Sequence, residues 1–166
     1  SLSGTMTLTN GLLNTSATNI LKINQGGSVA GGSNTTFVNG PMTRVFTSER
    51  TASGTYSSAT QFPVGKNGSF LPLYIDPSTA TESVEFKAEA FTANPGTHPQ
   101  NITSLSNNRW ETAIILGNDS FINANIRIVN ASISAESKIV QSETASGEYS
   151  LFSPASIVGT GTLTTE

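Results

Sequence analysis

Between residues 84 and 90 the chain reads Val84-Glu85-Phe86-Lys87-Ala88-Glu89-Ala90, apolar and charged side chains in strict alternation. Successive side chains of an extended strand point to opposite faces. This spacing therefore puts Val84, Phe86, Ala88 and Ala90 on a buried face and Glu85, Lys87 and Glu89 on a solvated one. A helical period would scatter the same apolar residues around the axis, although Ala and Glu favour helix. Ile122, Ala124, Ile126 and Ile128 alternate with Asn123, Asn125 and Arg127 in the same way. Further strands are expected over Met6–Thr9, Asn19–Ile23, Thr36–Val38, Met42–Thr47, Gly54–Val64, Phe70–Ile75, Arg109–Leu116, Lys138–Ser142 and Gly147–Phe152. The expected fold class is all-β.

Turn chemistry separates these runs. Asn10-Gly11, Asn39-Gly40 and Asn67-Gly68 supply the positive φ angles that tight turns need. The run Phe62-Pro63-Val64-Gly65-Lys66-Asn67-Gly68-Ser69-Phe70-Leu71-Pro72-Leu73 reads as two strands joined by a Gly-rich hairpin loop. Pro63 and Pro72 lack ladder donors and belong at edges or strand ends. The longest weakly patterned connection is 92–108, which holds Pro95, Gly96, His98 and Pro99.

Charge divides the chain in two. Residues 1–40 carry one charged side chain, Lys22, and the remaining residues carry eighteen. In the first part short apolar groups (Met6/Leu8, Leu12/Leu13, Ile20/Leu21/Ile23, Val29, Phe37) recur between small polar residues at roughly ten-residue spacing, with glycine corners. This pattern predicts a short β-solenoid-like segment over 1–40, continuing into an antiparallel β-sandwich over 41–166, the two packed as one unit. With eight Lys+Arg against eleven Asp+Glu, no electrostatic footprint for nucleic acid is present. No run of about 20 apolar residues is found, so no membrane insertion is expected. No basic, apolar leader opens the sequence. Together with a C-terminus that stops on a strand-like pattern, this suggests a segment of a longer chain.

Thr36-Phe37-Val38-Asn39-Gly40-Pro41-Met42-Thr43-Arg44, Gly54-Thr55-Tyr56, Phe62-Pro63-Val64-Gly65-Lys66, Asn108-Arg109-Trp110 and Phe152-Ser153-Pro154 follow one another in this order. The series resembles a β-rich module of large Bacteroidetes cell-surface proteins, including type IX secretion cargo and gliding adhesins. It spans about residues 5–158. Arg109-Trp110 departs from it, standing where an aromatic pair is common. The resemblance implies a non-catalytic spacer or adhesive module at the bacterial cell surface, with neighbouring modules of the same polypeptide as partners. It brings no catalytic residue.

Few residues offer chemistry. The chain has no Cys, one His and two Asp, so thiolate sites, disulfides and multi-aspartate calcium loops are excluded. His98 would have to serve any Ser-His-Asp triad, yet no acidic residue lies between Glu89 and Glu111; an exposed loop histidine is the expected role. Glu111 with Asp119, and Glu82/Glu85/Glu89, are the carboxylate groupings a hydrolase would need. No catalytic residue, cofactor or metal site is assigned. Asp119, in the turn 117–120, together with Asp76 and carbonyl oxygens, is the candidate for a loop-built calcium site, against a plain β-turn. Trp110 and Tyr56, with Tyr74 and Tyr149, are candidate glycan contacts, against a core or rim position for Trp110. The threonine rows 5/7/9 and 160/162/164 fit exposed strand faces. Six Asn-x-Ser/Thr sequons, starting at residues 14, 34, 67, 101, 118 and 130, are close to the number that 46 Ser and Thr with 15 Asn give by chance. Surface glycans are the partner class that a binding role would imply.

Overall fold

The structure is a computed structural model describing residues 1–152, 156–157 and 162–164. Its strands are β1 (Thr5–Leu8), β2 (Leu13–Asn14), β3 (Leu21–Ile23), β4 (Ser28–Gly31), β5 (Val38–Asn39), β6 (Met42–Phe46), β7 (Gln61–Phe62), β8 (Val64–Lys66) and β9 (Ser69–Phe70). Then follow β10 (Leu73–Thr79), β11 (Val84–Phe91), β12 (Arg109–Leu116), β13 (Phe121–Val129), β14 (Val140–Gln141), β15 (Ser150–Leu151), β16 (Ser156–Ile157) and β17 (Thr162–Thr164). The fold is all-β and sandwich-like. Among the described residues the only helical turn is a 3-10 turn, Asn118–Ser120, and no helix is long and apolar enough to cross a membrane.

Two larger sheets enclose the core, one in the order β12-β11-β6-β3 and the other in the order β16-β17-β13-β10-β7. The apolar face of the alternation at 84–90 forms as its period dictates: Val84, Ala88 and Ala90 are fully buried and Phe86 nearly so. On the opposite face, expected to be solvated, Glu85 is instead buried under its ion pair with Lys22. The partners of the apolar face across the core are Leu73 and Ile75 of β10 with Phe121, Ala124, Ile126 and Ile128 of β13. The Phe86 and Phe121 rings meet edge to face at 5.6 Å, joining the two sheets.

Strands of the first part pair in parallel. β1 lies on β4, β2 on β5, and β3 on β6. Past residue 40, β5 also pairs in parallel with β8. Ile23, Val29 and Val38 from this part belong to the same core cluster as Val84 and Ile75. Gly40 is what lets the chain turn from β5 into β6. It has φ 132°, and an added Cβ would sit 2.4 Å from the Thr15 carbonyl oxygen, so no larger residue fits. The Asn67-Gly68 turn (φ 50° and 76°) closes the β8–β9 hairpin with Gly65 opposite Phe70, as its sequence predicts.

The expected strand over Gly54–Val64 is corrected. Only Gln61–Phe62 and the Val64 end are extended, and the stretch before them is turn. Local side chains win the backbone there: the Thr60 hydroxyl accepts from the Ser57 N–H and donates to the Ser57 carbonyl, the Ser57 hydroxyl accepts from the Ala59 N–H, and Gly54 takes φ 69°. The other expected strands are present, most with shifted ends. Phe70–Ile75, however, is split by Leu71-Pro72 between β9 and β10, and β2 and β4 fall where no strand is expected. β3 starts at Leu21 rather than Asn19, β10 runs on to Thr79, and β14 and β15 are two residues each. Ser153, Pro154 and Thr160 lie outside the described residues.

Candidate functional site

A concavity of about 1300 Å³ opens between the two sheets at the β12 side. Leu73, Trp110, Ile126 and Ile128 contribute its apolar wall. The 92–108 loop and the segment 130–145 contribute both polar side chains, such as Asn101 and Ser132, and apolar ones, such as Leu105 and Ile139. Charged groups including Lys87, Glu136 and Lys138 also line it. The loop is docked through Gly96, where a Cβ would fall 2.3 Å from the Tyr149 ring. Main-chain bonds between Thr97 and Tyr149 (2.9 Å), and between Thr97 and Gly147 (3.1 Å), fasten it there. The Trp110 indole N–H donates to the Leu71 carbonyl at 2.8 Å. This fixes the ring at the rim of the core and uses its one polar handle.

Tyr56 lies elsewhere. Leu73 and Ile75 face the core, so Tyr74 between them faces outward, as does its cross-strand partner Arg127. Tyr56 packs edge to face on Tyr74 at 6.1 Å, and the Arg127 guanidinium lies 4.0 Å from the Tyr56 ring centre. Burial raises the Tyr74 pKa, with Arg127 pulling the other way. Trp110 and the Tyr56–Tyr74 pair therefore stand on opposite faces of the β10–β13 sheet and do not form one platform.

The titratable groups are dispersed. His98 is exposed, its Nδ1 3.1 Å from the Pro99 carbonyl oxygen. Glu85 pairs with Lys22 at 2.7 Å, Glu89 with Lys66 at 3.4 Å, and Glu111 with Arg109 at 2.5 Å. Each thus faces a cation, where a hydrolytic pair would face a second acid across a cleft. Asp119 sits in the 3-10 turn after Gly117. Asp76 is fully buried, accepts from the backbone N–H groups of Ser53 (2.7 Å) and Gly54 (2.8 Å), and is ion-paired to Arg50. Its carboxylate is consumed in holding the 50–54 loop. Among the described residues no group of three or more His, Asp or Glu could hold a metal ion. In the first threonine row, Thr5 Oγ1 lies 2.8 Å from Ser28 Oγ.

Three buried charges escaped sequence reasoning: Asp76, Arg44 and Glu85. Arg44 is 1% exposed and donates to the carbonyls of Gly27 (2.9 Å), Gln61 (2.9 Å) and Ser58 (3.2 Å), with the Phe62 ring centre 5.8 Å away. Burial pulls its pKa down to about 10. The phase was a readable signal, since Met42, Arg44 and Phe46 share one face of β6.

The fold defined by these elements is all-β and sandwich-like, with parallel-paired strands along one flank. The chain matches no protein-family model, no curated protein and no solved structure.

Proposed function

We propose that the chain is a non-catalytic extracellular module of a large bacterial surface protein, serving as a spacer or contact surface in attachment or gliding. In this reading the parallel pairs are coils of a short β-solenoid that runs into the sandwich, and neighbouring modules of the same polypeptide are the partners. One observation supports it above others. The residues of the two sequence signatures are spent on architecture. Phe37, Val38, Met42, Phe62 and Val64 are fully buried, Arg44 ties three carbonyls, and Gly40 and Gly65 fit where a Cβ would clash. A neutral exterior rich in hydroxyl and amide groups stays solvated with little electrostatic selectivity. The reading predicts that the full chain turns over none of a panel of esterase, glycosidase and peptidase substrates. Turnover that disappears in His98→Ala or Glu111→Gln overturns it.

A second reading, a carbohydrate-binding module, draws on the concavity beside Trp110, whose lining mixes apolar side chains with amide, hydroxyl and charged groups able to hydrogen-bond a sugar. A glycan array comparing the wild type with Trp110→Ala and Tyr56→Ala decides it. Loss in Trp110→Ala alone assigns the concavity, loss in Tyr56→Ala alone assigns the opposite face, and an array without hits rejects the reading.

A further inference from the structure

Among the described residues, nothing covers one end of the parallel-paired flank. Inward-facing residues stack in columns from one strand to the next, and exposure along a column reports where the stack stops. Leu13, Val38 and Val64 are in register through β2, β5 and β8. Val38 and Val64 are fully buried, whereas Leu13 is 36% exposed and its neighbour Leu12 43%. The side chains do not change character along the column. Only the cover is missing. The outer edge of β1 is likewise unpaired, since β4 is its single neighbour, and β2 ends its sheet.

A third column shows what the next layer looks like. Leu2 bridges Ile23 in parallel, with its N–H on the Lys22 carbonyl at 2.8 Å and its carbonyl accepting from Asn24 N–H at 2.7 Å. Ile23 in turn is in register with Arg44. The offset is 21 residues at each step, from 2 to 23 and from 23 to 44. Leu2 therefore already occupies a position in a further layer, and on that side the layer has the same chain direction and spacing as those beneath.

Side-chain chemistry at the open end agrees. Asn14 accepts from Asn39 Nδ2 at 2.8 Å, a rung of an amide ladder between in-register parallel strands. Among the described residues the Asn14 Nδ2 group has no acceptor, so the ladder presents a donor outward. Edge strands that must stay unpaired commonly carry lysine, proline or a bulge. Residues 1–21 contain no charged side chain and no proline.

We infer that this end is a docking surface for one more parallel β-coil of the protein's own polypeptide, contributed in cis and leading into Leu2. That coil places an apolar residue over Leu13 and an amide or hydroxyl acceptor over Asn14, and its backbone completes the edges of β1 and β2. A flat, uncharged edge with the register already set is the arrangement by which stacked repeats bury one another's faces. The inference rests on the solenoid reading given above and is tested separately from the module's biological role.

The test inserts a second copy of residues 3–23 ahead of Ser3 in the full chain. The duplicated Ile23 then falls where Leu2 now lies, in register with the original Ile23. The expected result is a Tm raised on the order of 5 °C, slowed amide exchange in Thr5–Leu8 and Leu13–Asn14, and a monomer by light scattering. A scrambled insert of the same composition gives no rise. Leu13→Lys is cheap in the parent, where the residue is exposed, and lowers Tm by several degrees more in the extended chain. An inserted segment that exchanges like free peptide, a rise matched by the scrambled insert, or an equal Leu13→Lys effect in both backgrounds overturns the inference. So does a parent dimer that Leu13→Lys dissolves, because the cover is then a second copy. A hit in the substrate panel would sink the module reading while leaving these outcomes unchanged.

Discussion

Replacing Arg44 tests whether a buried, carbonyl-solvated cation holds the parallel flank to the sandwich. Its guanidinium joins β6 to the carbonyl before β4 (Gly27) and to those of Ser58 and Gln61. Hydrogen bonds from a charged donor are worth about 1.5–3 kcal/mol each, so three give roughly 6 kcal/mol. Against this stands the desolvation of the cation. A pKa pulled down to about 10 corresponds to roughly 3 kcal/mol, at about 1.4 kcal/mol per pH unit. Arg44→Met removes both contributions and keeps most of the volume, for a net loss of about 3 kcal/mol. Arg44→Ala adds a cavity cost of about 2 kcal/mol. Arg44→Lys keeps the charge but loses the planar fork that reaches several carbonyls at once, so it falls no better than Met. Urea unfolding followed by Trp110 fluorescence measures all three; the order expected is wild type, then Met and Lys, then Ala. A Met variant as stable as wild type would refute the reasoning, because the carbonyls would then need no donor and the buried charge would be a net burden.

Gly40→Ala is expected to cost about 2–4 kcal/mol, since φ is 132° and the new Cβ meets the Thr15 carbonyl; thermal unfolding reads it, and a change within 0.5 kcal/mol contradicts the close approach. Asp76→Asn leaves Arg50 without its anion and weakens the bonds from Ser53 and Gly54. Removing one partner of a buried pair costs about 3–5 kcal/mol, reduced here because Arg50 is partly exposed, and hydrogen exchange should quicken at the Ser53 and Gly54 amides first. Tyr74 binds its proton more tightly folded than unfolded, as burial raises its pKa. Its contribution is complete below the ordinary tyrosine value near 10 and is lost as pH rises through the folded value. Alkaline titration at the phenolate absorbance should therefore show Tyr74 ionising after an ordinary tyrosine, and Tyr74→Phe should flatten the loss of stability above about pH 10.

The strands of the core were legible because period-two alternation with one buried face governs most of 84–91 and 124–128. It fails at Ile122, which is expected on the core face and is 60% exposed, because the bulge between Ser78 and Thr79 shifts the register and turns Phe121 onto the core instead. The Asn-Gly turns were legible because positive φ is a property of single residues. The Gly54–Val64 error has the opposite origin. What bends that stretch is Asp76 capturing the Ser53 and Gly54 amides from more than twenty residues away, with the Thr60 hydroxyl clasping the Ser57 main chain beside it. Alternation places Asp76 on the outer face of β10 with Tyr74 and Ser78, which reads as solvated. It is buried because a loop folds over that face, and no local pattern announces a loop's destination. Tyr56 travels with the same loop, which is why it ends on the face opposite Trp110.

This bears on what a shared signature conveys. In Phe37-Val38-Asn39-Gly40-Pro41-Met42-Thr43-Arg44, Phe37, Val38 and Met42 fill the core, and Asn39 makes a ladder rung. Gly40 makes the close turn and Arg44 clamps three carbonyls. Each of these positions is constrained by packing inside the molecule, so chains that share them share an architecture whatever they touch outside. Differences in partner would have to be written where these constraints end: in the 92–108 loop, the 130–145 segment and the uncovered edges of β1 and β2. Substitutions there should alter contacts while leaving Tm nearly unchanged, and substitutions in the signature should do the reverse.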